Sequence, residues 1–208
     1  SNYGTIGIIQ MPNARMMPEA HLRFNFSSSY PHEFTSLTAS PFQWLEATYR
    51  YTELKNLKYG PSAYSGNQSL KDKGFDLKAL IKKETYFLPA VSVGLRDIAG
   101  TGLFSSEYIV SSKKFGSVDI SLGIGWGILG IDNNVSNPFI SVDDSFKNRN
   151  SSSGQGGEGG EFSLKDWFSG ETAIFGGIEY DLPKTGLRLK LEYDTSNPDR
   201  REIVDKVK

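Results

Sequence analysis

From Val118 to Ile128 the chain alternates without a break. Val118, Ile120, Leu122, Ile124, Trp126 and Ile128 take the even positions, and Asp119, Ser121, Gly123, Gly125 and Gly127 lie between them. A period of two is that of an extended strand, whose successive side chains point to opposite faces, so one face here is oily and the other polar or bare. Strands of water-soluble domains average about 5–6 residues, whereas a strand that crosses a bilayer needs roughly 9–11. This stretch is long enough to cross. Whether it does depends on whether the rest of the chain repeats the pattern and on the loops that join the repeats.

It does repeat. Residues 1–19, with Pro12, Pro18 and several glycines, predict an irregular lead-in. Alternation then sets in at about 20–29 (Leu22, Phe24, Phe26), 34–40, 44–52 (Leu45, Ala47, Tyr49, Tyr51) and 75–82 (Phe75, Leu77, Ala79, Ile81). It resumes at about 90–96 (Val91, Val93, Leu95), 103–112, 118–128, 172–182 (Ile174, Ile178, Tyr180) and 187–194 (Leu187, Leu189, Leu191, Tyr193). The sixth segment is the least regular, with Phe104, Tyr108 and Val110 on one face and Ile109 among polar neighbours. The pattern predicts about nine antiparallel strands over 20–195, long surface loops at 54–72 and 130–170, and a charged tail at 196–208. The run SSSGQGGEGGE at 151–161 predicts a mobile surface loop.

Alternation cannot by itself distinguish a soluble sandwich, whose apolar faces point inward, from a membrane barrel, whose apolar face points to lipid. The connections can. Those at 41–43, 83–88, 113–116 and 183–186 are short, and they alternate with connections that include 54–72, 97–102 and 130–170, which is the asymmetry of outer-membrane barrels. Aromatics fall into two groups, with Trp44, Tyr86, Phe87, Phe115 and Tyr180 near the short turns and Tyr49, Tyr51, Trp126 and Tyr193 toward the long loops. Two such girdles suit rings at headgroup level. The expected fold is therefore all-β, an antiparallel up-and-down transmembrane β-barrel. Nine is an odd count and nothing in the tail closes the sheet, so these strands are expected to be an incomplete part of a larger barrel. A soluble β-sandwich is the alternative.

Composition removes other classes. Lysine plus arginine number 23 against 24 aspartates and glutamates, a net charge of −1, which gives no electrostatic case for nucleic acid. There is no cysteine, hence no disulfide, thiolate metal site or cysteine nucleophile in these residues. His21 and His32 stand at opposite ends of the first strand, and no G-x-S-x-G, H-E-x-x-H or P-loop pattern occurs, so no catalytic residue, metal ligand or cofactor is predicted. If the apolar faces meet lipid, then Glu46, Arg50, Asp76, Lys78, Arg96, Asp119, Glu179, Arg188, Lys190 and Glu192 point into the lumen. Charges of both signs there can pair into a filling network or line a wet path for a polar polymer. Glycines 94, 123, 125, 127 and 177 leave room on the same face, for bulky neighbours or for a ligand. Arg96, before Gly100-Thr101-Gly102, is expected to pair with a lumen carboxylate or loop carbonyls. Tyr59, Tyr64 and Trp167 on the long loops are candidates to stack on sugar rings.

Three stretches resemble a known family: IIQMPNARMMPEAHLRF at 8–24, YSGNQSLKDKGFDLK at 64–78 and LPAVSVGLRDIAGTGLFSSEYIVSSKKFG at 88–116. Within the last, GLRD…GTGLFSSEY at 94–108 is the most specific part. They are similar to the YjbH family of exopolysaccharide- and capsule-associated proteins, with its GfcD-like and WbfB-like members. The resemblance implies outer-membrane barrels, two in tandem, in chains considerably longer than this one and encoded with polysaccharide synthesis and export genes. It implies a bacterial outer-membrane location, with membrane lipid, polysaccharide and other envelope export proteins as partners. It carries over no catalytic residue. Family members are described as lipoproteins, so any lipid-bearing cysteine is expected to lie before Ser1 or to be absent. The leading expectation is a non-enzymatic barrel assisting polysaccharide export or surface assembly. The alternatives are an outer-membrane enzyme acting on glycans or lipids, and a soluble carbohydrate-binding sandwich.

Overall fold

The computed structural model describes residues 1–100, 102–149 and 166–196. The run at 151–161 and nearly all of the charged tail lie outside the described residues. Nine strands form one antiparallel sheet in chain order: β1 (His21–Ser29), β2 (His32–Phe42), β3 (Leu45–Lys58), β4 (Ser69–Lys82), β5 (Ala90–Arg96), β6 (Ser106–Phe115), β7 (Val118–Gly127), β8 (Thr172–Asp181) and β9 (Arg188–Tyr193). Each strand pairs with its sequence neighbours, and β1 and β9 remain free edges, so among the described residues the sheet is not closed into a barrel. No helix among them is long and apolar enough to cross a membrane.

Register turns the alternation of single strands into rows across the sheet. Leu22, Ala39, Ala47, Leu77 and Leu95 are successive partners on β1 to β5, and Ala79, Val93, Ile109, Ile124 and Ile174 are successive partners on β4 to β8. These rows form the outer face, and that face is bare: Phe24 is 70% exposed, Leu22 68% and Leu191 71%. A soluble sandwich would cover such a face with a second sheet. The described residues hold one sheet only.

The inner face is the reverse. Ser36, Thr38, Ser40, Glu46, Thr48, Arg50, Asp76, Lys78, Ser92, Arg96 and Ser112 are all buried there. What buries them is the N-terminal segment. Residues 1–18 form no strand beyond a single bridge between Gly7 and Pro12, and they lie in the trough of the curled sheet, with Tyr3, Ile8, Met11, Ala14 and Met17 buried. Ile8, Met11 and Ala14 meet Tyr108, Val110, Phe175 and Leu129 in the main apolar cluster. Tyr108 and Phe175 fit because Gly94 and Gly123 lie beneath them. A Cβ on either glycine would come within 2.1 or 2.3 Å of the ring above. The glycine face thus makes room for bulky neighbours.

Three expectations are corrected. The segment 54–72 is mostly strand, and only 59–68, with one helical turn at Ser62–Ser65, is a connection. The alternation continues there with reversed polarity: Leu54 and Leu70 pair across β3 and β4 and are buried against Phe104, while Lys55, Lys71 and Lys73 face outward. Tyr108 and Val110 of β6 belong to the inner face, and Ile109 is the outward residue. Trp126 is fully buried rather than displayed to lipid, because the β7–β8 connection folds over it and places Phe139 and Phe168 at centroid distances of 5.5 and 5.1 Å. The lead-in itself fills the trough. The other girdle residues Trp44, Tyr86, Phe87, Phe115, Tyr180, Tyr49 and Tyr193 are exposed, and Tyr51 is half-buried.

Candidate functional site

The trough is the one place where polar side chains from the whole sheet converge. All nine strands contribute a side chain that hydrogen-bonds to the segment 2–17. On β1 the Asn25 amide donates to the Asn2 carbonyl at 3.3 Å, and on β2 the Thr38 and Ser40 hydroxyls donate to the carbonyls of Gly4 (3.3 Å) and Met17 (3.2 Å). Glu46 of β3 accepts from the Met17 N–H at 2.6 Å and from that of Ile6 at 3.5 Å. Lys78 of β4 donates to the carbonyls of Ile6, at 3.0 Å, and Arg15. On β5, Ser92 donates to the Ala14 carbonyl at 3.3 Å and Arg96 to that of Gln10 at 3.2 Å. The Ser112 hydroxyl of β6 accepts from the Ala14 N–H at 2.8 Å. Asp119 of β7 takes the Arg15 guanidinium through two bonds of 2.8 and 2.7 Å, and Glu179 of β8 accepts from the Asn13 amide at 3.1 Å.

The last strand makes the densest contact. One Glu192 carboxylate accepts from three consecutive main-chain N–H groups, those of Ile9 and Gln10 at 2.8 Å and Met11 at 3.1 Å, while Lys190 donates to the Ile8 carbonyl at 2.8 Å. Charged groups make shorter and stronger hydrogen bonds than neutral ones, so β9 clamps the turn at 8–11 from both polarities.

Of the ten charged residues expected in the lumen, the structure brings seven onto the segment: Glu46, Lys78, Arg96, Asp119, Glu179, Lys190 and Glu192. Arg50 and Asp76 instead pair with each other, Nε to Oδ2 at 3.2 Å, both wholly buried. Arg188 lies at the short-turn rim, half exposed, on Asp181. Among the described residues Arg96 takes neither an inward carboxylate nor a loop carbonyl; its partner is the lead-in. Its guanidinium carbon stands 4.1 Å from the Tyr3 ring centroid, with Arg50 at 5.3 Å from the same ring, so Tyr3 sits between two cations. The loop aromatics are not gathered into one site. Tyr59 and Tyr64 are exposed on the β3–β4 connection, and Trp167 is half-buried on the β7–β8 connection.

Two features at the long-loop end have no counterpart in the sequence reading. Arg149 grips Glu107 through bonds of 2.7 and 2.8 Å, which ties the β7–β8 connection to β6. Asp97, just past β5, donates its N–H to Asp76 and accepts from the Phe104 N–H at 3.1 Å, and its other carboxylate oxygen is buried without a hydrogen-bond partner among the described residues. Burial, and then the neighbouring Asp72 and Asp76 carboxylates against the opposing Arg50, push its carboxyl up to about 7. No group of three or more His, Asp or Glu among the described residues is arranged to hold a metal ion.

No solved structure shows a significant match to the chain. A curated relative does: the chain is 44% identical over 198 residues, 95% of its length, to the "Uncharacterized lipoprotein YjbH" of Escherichia coli strain K12, and covers 28% of that protein. It therefore spans little more than a quarter of this relative. The family described as "Exopolysaccharide biosynthesis protein YbjH" matches residues 1–207. With a match over nearly every residue and a relative this similar, the chain belongs to the YjbH family of exopolysaccharide biosynthesis proteins.

Proposed function

We propose that these residues are one wall of an outer-membrane β-barrel that assists the export or surface assembly of an exopolysaccharide without catalysing a reaction. The observation that carries this reading is the polarity of the sheet. Continuous apolar rows run across five strands on the outer face, and a buried mixed-charge face lies opposite. In water the outer face costs about 25 cal/mol for each Å² left uncovered, and lipid removes that cost. An apolar patch this extensive marks an interaction surface. Membrane strands also need partners at both edges, because hydrocarbon offers nothing to a free N–H or C=O. The edges at β1 and β9 are then paired by strands from the much longer protein that the relative's length indicates.

The partners that follow are membrane lipid on the outer face, a polysaccharide on the polar side, and other envelope proteins of polysaccharide export. An envelope location also suits a relative whose name calls it a lipoprotein. A non-catalytic role is supported by the occupation of the trough carboxylates, which hold peptide N–H groups and cations rather than standing open to a substrate. Deleting the full-length gene and measuring surface and secreted polysaccharide tests the reading. Loss of surface polymer is expected, and unchanged secretion with unchanged polymer structure would overturn it. Extraction of the protein from membranes by salt alone, without detergent, would overturn the lipid-facing assignment.

A further inference from the structure

We infer that the trough is a binding site for an extended polar polymer and that residues 1–18 are its displaceable resident. The inference rests on the export reading for the identity of that polymer, a polysaccharide, but its structural basis is separate. The grip on the segment is directed mainly at its main chain. Carbonyls of residues 2, 4, 6, 8, 10, 14, 15 and 17 accept from wall side chains, and N–H groups of residues 6, 9, 10, 11, 14 and 17 donate to them. A wall that reads main-chain donors and acceptors at intervals along an irregular chain, doubled back at 7–12, has the donors and acceptors that the hydroxyl and ring oxygens of a sugar polymer require.

The resident is built for removal. It has no strand pairing with the sheet, and its one internal bridge joins Gly7 to Pro12. Every pairing of the sheet can persist when it leaves, because none of the strand ladder passes through it. Its departure would uncover Arg96, which donates to the Gln10 carbonyl, and whose Nε has no hydrogen-bond partner among the described residues and whose guanidinium is stacked on Tyr3. It would also free Lys78 and Lys190 from the segment's carbonyls and Glu192 from its three N–H groups. Buried charges left without partners are costly, so an empty dry trough is disfavoured. Exchange of one polar chain for another satisfies them. Bound sugar would use the remaining apolar floor, where Tyr108 and Phe175 now meet Ile8, Met11 and Ala14.

The test uses the full-length protein. Ala14 and Ser112, whose main-chain nitrogen and hydroxyl are 2.8 Å apart, are replaced together by cysteine in a region that has none of its own. Oxidation then pins the segment to β6, and reductant releases it. Fluorescent dextran and polygalacturonate serve as neutral and acidic probes for the purified protein. The reduced A14C/S112C protein is expected to bind at least one of them at least tenfold more tightly than the oxidised protein, while S112C alone is indifferent to oxidation. Glu192→Gln, which weakens the clamp on residues 9–11, is expected to tighten binding severalfold in an otherwise native chain. Binding that is equal in the locked and released states, or absent in both and in E192Q, overturns the inference, whatever gene deletion does to secretion. Lock-dependent binding with secretion unaffected by gene deletion supports the site and overturns the export reading instead.

Discussion

The lower and upper halves of β3 and β4 are built from the same two strands and have opposite polarity. In the lower half, Ala47, Tyr49, Phe75 and Leu77 face outward, and Glu46, Arg50, Asp76 and Lys78 are buried in the trough. In the upper half, Glu53, Lys55, Lys71 and Lys73 face outward, and inside, beyond the buried Thr52–Asp72 pair, Leu54 and Leu70 are buried against Phe104. The boundary falls between the Tyr49–Phe75 pair and the Glu53–Lys71 pair, and β2 changes in step, with Leu37 outward below and Glu33 outward above, the latter paired to Lys55 at 2.5 Å. A strand has one period but no fixed polarity, so the solvent on each side decides which alternate residues are apolar. Oily outside and polar inside fits hydrocarbon around a polar trough, and charged outside over an apolar inside fits water around a small core. The transition along a single strand locates the proposed membrane surface more sharply than any residue count.

The largest effect should come from breaking a trough pair. Arg50→Met leaves Asp76 buried with its guanidinium partner gone, and a buried pair broken from one side costs about 3–5 kcal/mol. Urea titration of the protein refolded into lipid vesicles should show this loss, and a cost below about 1 kcal/mol would mean that the trough is wetter than its burial indicates. Next is the outer face of the lower half. Leu77→Arg places a cation one row inside the boundary, beside Ala47 and Leu95, and should cost about 2–4 kcal/mol in a bilayer. Lys71→Arg in the upper half should be neutral in the same assay. Equal responses of the two positions would break the comparison and with it the membrane boundary.

That boundary also explains what could be read in the sequence. The lower half announced itself because an apolar residue at every second position is conspicuous, and so did β7 and β9, whose outer faces carry Ile120, Leu122, Leu189 and Leu191. The upper extensions did not. Their outward residues are lysines and glutamates, and their inward leucines are too few to show a period, so 54–72 reads as a polar loop. The inward side of Tyr108 is hidden for a related reason: the trough floor turns apolar where Ile8 and Met11 pack on it, and a strand with apolar residues on both faces has no readable side. Seven of the ten inward charges named from the alternation share one partner, the segment 2–17. That partner was not legible, because a segment held through its main chain needs no side-chain pattern of its own. Only its buried Ile8, Met11 and Met17 hinted that the lead-in was covered.

A smaller effect should follow from truncation of the upper core. Leu54→Ala removes a fully buried side chain from a cluster that also includes Leu70 and Phe104, and a cost of about 2–3 kcal/mol is expected, at the low end for leucine truncations because the cluster is small and near the surface. Proteolysis should report it as cleavage in the 59–68 connection with the lower strands still protected. Loss of the whole sheet at once would show that the two halves are a single cooperative unit.

Asp97 sets the finest test, because it joins the halves: its N–H reaches Asp76 of the trough and its carboxylate accepts from Phe104 of the upper core. In the unfolded chain this carboxyl loses its proton near pH 4, whereas burial and the neighbouring acids hold the folded value up to about 7. The folded protein therefore binds a proton across that window that the unfolded chain has released. Its contribution to stability is fully present below about pH 4 and is lost as pH rises through 7, at roughly 1.4 kcal/mol for each pH unit inside the window. Asp97→Asn keeps an acceptor for Phe104, offers a neutral amide toward Asp72 and Asp76, and should flatten this slope between pH 5 and 7 while leaving stability at pH 4 nearly unchanged. A variant that keeps the native slope would assign the pH dependence to another group.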